Sequence, residues 1–74
     1  MRDIAKEAYE KTSVGGVGWM RPDAAKGETV DAFQNVTIAA RAMASDGLIH
    51  IIVEHLESQS GKGLIDAIQF RRIN

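Results

Sequence analysis

Two β-rich runs closing around a short glycine turn constrain this chain more than any other feature. Leu48 to Leu56 (LIHIIVEHL) and Leu64 to Ile73 (LIDAIQFRRI) flank Ser60, Gly61, Lys62 and Gly63. That arrangement predicts a β-hairpin with a basic tip. Leu48, Ile51, Ile52, His55 and Leu56 also fit a helical stripe. Strand is favoured because Gly47 has just ended a helix and Ile49, Ile51, Ile52 and Val53 are β-branched. A three-residue loop over Gly61–Gly63 pairs Leu56 with Ile68 and Ser58 with Asp66. A two-residue loop would set Glu57 against Asp66, two like charges face to face.

The segment running into this hairpin, residues 28–46, reads as helix. Val30, Phe33, Val36, Ala40 and Met43 recur at steps of three and four. Ala39, Ala40, Ala42 and Ala44 add helix propensity. Gly47 fits the left-handed residue that follows a helix end. Asn35, Val36 and Thr37 are poorer helix formers, so one helix or a pair broken near Asn35 both fit. At the other end, residues 2–12 predict a helix with Ile4, Ala5, Ala8 and Tyr9 on one stripe. Asp3 and Lys11 complement its dipole, and Glu7 and Lys11 form an i,i+4 pair. Between the helices, Gly15, Gly16 and Gly18 open a loop with room for a short strand near Val17–Met20. Pro22 can start a helical turn that Gly27 ends. Trp19 is expected to fold onto the core.

A length of 74 residues suits one small domain over 1–74 with a limited core. There is no cysteine, so neither disulfides nor a thiolate zinc site can supply missing stability. A second chain could, which makes a homodimer a reasonable expectation. The net charge is -1 and neither half of the chain carries a basic excess, so any phosphate-binding face must come from local arrangement. Arg2, Asp3, Lys6 and Glu7 leave no apolar leader, and no run is long enough to span a membrane; a cytoplasmic location is expected. The fold class is α+β: an N-terminal helix, a Gly-rich loop, a second helix or helix pair, and a C-terminal hairpin. Ile4, Ala8, Val30, Phe33, Met43, Ile51, Leu56, Ile68 and Phe70 are the core candidates.

Thr37 to Ile49, a helix closing on Asp46-Gly47 before an apolar pair, resembles the end of a winged-helix recognition helix. Glu57 to Gly63 resembles a wing tip, and Ile65 to Ile73 the returning strand; together they cover about half of the chain. The resemblance implies a small regulator that binds double-stranded DNA. The helix would enter the major groove with Gln34, Asn35, Thr37 and Arg41 as contact residues, and Lys62 would meet phosphate. Winged folds also serve as protein-interaction modules. The near-neutral charge and the exposed edges of a hairpin point to that second class, an adaptor or homodimer without nucleic-acid binding.

Other signals are weaker. Ser60–Gly63 lacks the spacing of a phosphate-binding loop: position 56 is Leu and position 63 is Gly. Gly15–Gly18 lacks the dinucleotide spacing, since position 21 is Arg. His50 and His55, five apart on a strand, are expected on opposite faces and hold no metal. Glu54 and Glu57 are likewise expected to diverge. No catalytic constellation, cofactor or small-molecule substrate is indicated, and the chain is not expected to be an enzyme.

Overall fold

The computed structural model describes residues 3–58 and 61–74. It is a small α+β protein with two α-helices and a three-stranded antiparallel sheet. The order is α1 (Ile4–Lys11), β1 (Val17–Met20), a 3-10 helix (Ala24–Lys26), α2 (Val30–Ser45), β2 (Ile49–Leu56) and β3 (Ile65–Arg72). β3 lies in the middle, between β1 and β2.

Local chemistry sets the helix ends. Asp3 caps α1 by accepting from Lys6 N at 3.0 Å, and Thr29 caps α2 by accepting from Ala32 N at 3.1 Å. Asp23 caps the 3-10 helix through Ala25 N. α2 runs unbroken through Asn35–Thr37 as one helix. It ends at Gly47, whose φ of 77° only glycine adopts without cost. Gly47 N donates to Ala44 O at 3.1 Å and Leu48 N to Met43 O at 3.0 Å. This paired closure satisfies the last carbonyls and turns the chain directly into β2.

Both helices pack on one face of the sheet: α2 against β2 and β3, α1 against β1 and α2. The core between them holds Ile4, Ala5, Met20, Phe33, Ala40, Ile49, Ile65, Ile68 and Phe70. Ala8, Val36, Met43 and Ile51 are partly buried against it. Leu56, a core candidate, is instead 57% exposed. The short strand expected near Val17–Met20 is β1, and Met20, not among the core candidates, is fully buried from it.

The hairpin register differs from the expected one. Leu56 pairs with Ile65, not Ile68, and Glu54 pairs with Ile68. Beyond the Leu56–Ile65 pair, Glu57 N donates to Leu64 O at 2.8 Å ahead of the Gly61–Gly63 turn. Two irregularities, between Ile51 and Val53 and between His55 and Leu56, shift the register further. Each slips a residue past the regular alternation and re-aims the side chains beyond it.

Candidate functional site

The five residues expected to contact DNA are spread over three environments. Thr37 is buried at 4% exposure, with its hydroxyl donating to Phe33 O. That position turns it to the core side of α2. Gln34 is half-buried and holds the start of β3: its Nε2 donates to Ile65 O at 2.8 Å, and its Oε1 accepts from Ile65 N at 3.2 Å. One amide side chain here supplies both bonds that a neighbouring strand would make. Arg41 forks onto Glu54, with Nε to Oε2 at 3.1 Å and Nη2 to Oε1 at 3.0 Å. That bond and the carboxylate's charge raise the Arg41 pKa further, so the cation is permanent but partnered. Asn35 is exposed on α2, and Lys62 is exposed at the hairpin tip. The tip residues 59 and 60 lie outside the described residues.

The face of the sheet away from the helices forms a second surface. The strand pairing sets Val17, Arg71 and His50 in one row across β1, β3 and β2. Trp19, Gln69 and Val53 form the next row, and Ala67 faces His55 beyond it. Trp19, expected in the core, stands instead on this open face at 42% exposure, with the Arg21 guanidinium 4.5 Å from its ring centre. The burial pattern of β1 explains the difference. Met20 takes the inward position of the strand, so its neighbour must point outward.

His50 and His55 share this open face, contrary to the alternation expected from their spacing. The irregularity between Ile51 and Val53 inserts one residue and restores them to the same side. His55 Nδ1 lies 2.6 Å from Asp66 Oδ1. Trp19, Arg21, His55, Asp66 and Ala67 line an open cleft of about 300 Å3. A second cleft of about 430 Å3 lies between α1 and the segment after β1, where Lys11 Nζ already bonds Glu7 Oε1 at 2.9 Å. Among the described residues, no three His, Asp or Glu side chains converge as metal ligands. Among the same residues, no helix is long and apolar enough to cross a membrane.

The third surface is the edge of β2. β2 pairs with β3 on one side only, and its other side lies at the margin of the sheet. Exposed apolar side chains gather along this edge: Ile52 at 44%, Val53 at 43% and Leu56 at 57%. Ile38 on α2 is 66% exposed and shares a helix stripe with Gln34 and Arg41. Those two reach Ile65 and Glu54, so Ile38 sits above the same end of β2. Sequence reasoning missed this cluster because Leu56 fitted a core position and Ile38 looked like one helix residue among many. Comparison with protein-family models, with curated proteins and with solved structures finds no match.

Proposed function

We propose that this chain is a non-enzymatic binding module with the layout of a winged helix, and that it binds another protein. The order of elements supports the layout. The 3-10 helix stands where a winged helix keeps its middle helix, and β3 lies between β1 and β2. The observation that carries the protein reading is the apolar edge of β2, where Ile38, Ile52, Val53 and Leu56 are exposed beside strand backbone at the sheet margin. A sheet edge bordered by apolar side chains suits strand addition, in which backbone bonds give affinity and alternate side chains give selectivity.

Double-stranded DNA is the second reading, favoured by Asn35 on α2 and Lys62 at the tip, both exposed. Against it, Thr37 faces the core, Gln34 is engaged by Ile65, and Arg41 is matched by Glu54. Anisotropy of labelled duplex DNA at about 50 and about 200 mM salt separates the two. The protein reading expects no binding that weakens steeply between them. Salt-steep binding that Lys62→Ala and Asn35→Ala both reduce would replace it with the DNA reading.

A further inference from the structure

We infer that the partner at the β2 edge is a second copy of this chain, paired β2 to β2 in antiparallel fashion about a two-fold axis between Ile52 and Val53. The inference rests on the protein-binding reading and names the partner.

The side chains of β2 take their faces in a symmetric order. Ile49 and Ile51 point to the core side. Glu54 points the same way, because it meets Arg41 of α2, and Leu56 lies opposite the buried Ile65. His50 and His55 point to the open face, as do Ile52 and Val53 around the irregularity. From Ile49 to Leu56 the order is therefore in, out, in, out, out, in, out, in. That order is the same read from either end.

Residues opposite one another in an antiparallel pair share a face, and a slip of one residue sends side chains to the wrong side. A strand with one regular alternation can meet itself in several registers. This strand, with its extra residue at the centre, matches at every position when Ile52 lies opposite Val53 of the second copy. Ile51 then lies opposite Glu54, His50 opposite His55, and Ile49 opposite Leu56. No carboxylate meets a carboxylate across the pair.

The same register collects the exposed apolar groups. Ile52 and Val53 of both copies meet at the axis on the open face. Leu56 of each copy comes beside Ile49 of the other, under Ile38. β2 contains no Lys and no Pro, the residues that commonly guard an edge against such pairing. Its irregularity, which usually serves that purpose, falls here opposite itself. The contact is isologous, so it closes at two chains and does not propagate.

The test is the mass of the full chain by light scattering over a wide range of concentration. The expected result is a rise from the 8.1 kDa chain mass to twice that value. Ile52→Lys should keep the circular dichroism of the parent and weaken the dimer by at least about tenfold. Because the chain has no cysteine, single thiols report the register. His50→Cys chains mixed with His55→Cys chains should form the mixed disulfide, since opposed Cα atoms lie within disulfide reach. Neither variant alone should cross-link, because its own thiols would lie roughly 17 Å apart along the strands. A chain that stays monomeric overturns the proposal, as does a dimer that Ile52→Lys leaves intact or one that favours the unmixed disulfides. A monomer without salt-steep DNA binding removes this pairing and leaves the protein reading standing. A monomer with such binding removes both.

Discussion

Single side chains in this protein take on tasks that a regular element would otherwise perform. Gln34 completes the hydrogen bonding of Ile65 where β3 runs past the Met20–Ile68 end of its pairing with β1, so Gln34→Ala leaves a half-buried amide and carbonyl without their partner. The expected cost is about 1 kcal/mol, with faster exchange of the Ile65 amide by NMR and little change in the rest of β3. Phe70 is fully buried in the central strand. Phe70→Ala should cost about 3 kcal/mol in denaturant unfolding, and unchanged stability would show that the core does not depend on it. Gly18 is confined for another reason. A Cβ there would press on Thr12 Oγ1, itself bonded to Ala8 O, and stand 3.1 Å from the Phe70 ring. Gly18→Ala should therefore destabilise the fold by about 1 to 3 kcal/mol, seen as a lower Tm. Core positions on regular stripes, such as Ile4, Phe33, Ile68 and Phe70, were legible in the sequence. The roles of Gln34 and Gly18 were not, because each depends on a partner distant in the chain or on close backbone approach.

The elements themselves follow local rules and were mostly readable. Asp3, Thr29 and Asp23 stand at helix starts, and Gly47 at a helix end, where side-chain chemistry and backbone freedom act over a few residues. Thr29→Ala tests this directly, with an expected loss of about 1 kcal/mol from removing the α2 cap, measured by thermal unfolding. The strands of the hairpin were also legible, whereas their register was not. Glycines in the tip suggested a tight turn, but strand pairing stops at Leu56 and resumes at Ile65. The two irregularities leave Ile52 of β2 and Asp66 of β3 without an opposite residue, and no pattern in β-branched residues encodes them. They decide where His50, His55 and Leu56 point, so the candidate surfaces were the least legible part of the chain.

At the scale of the whole molecule, the last residues tie the first helix to the sheet. Arg72 stacks 4.1 Å over the Tyr9 ring and donates through Nη1 to Tyr9 O at 3.2 Å and Thr12 O at 3.0 Å. It thereby satisfies carbonyls at the end of α1 with a positive charge, as the helix dipole favours. Tyr9 OH donates to Asn74 O, and Asn74 Nδ2 donates to Gly47 O at 2.7 Å. Arg72→Met keeps much of the apolar stem and removes the donors. It should cost about 1 to 2 kcal/mol, at roughly 4 to 8 °C of Tm per kcal/mol for a domain of this size.

The central place of β3 also governs how the chain can be made. Both other strands pair only with β3, which comes after them in sequence order. During synthesis, β1 and the β-branched run of β2 emerge before the strand that joins them. No native sheet can form until β3 is free, and closing β1 onto it spans most of the described chain, which slows folding. In that interval the apolar β2 run is open to any other extended strand, including that of a neighbouring nascent chain. The sheet therefore cannot assemble strand by strand as the chain emerges, and the hazard is greatest where many ribosomes translate the same message.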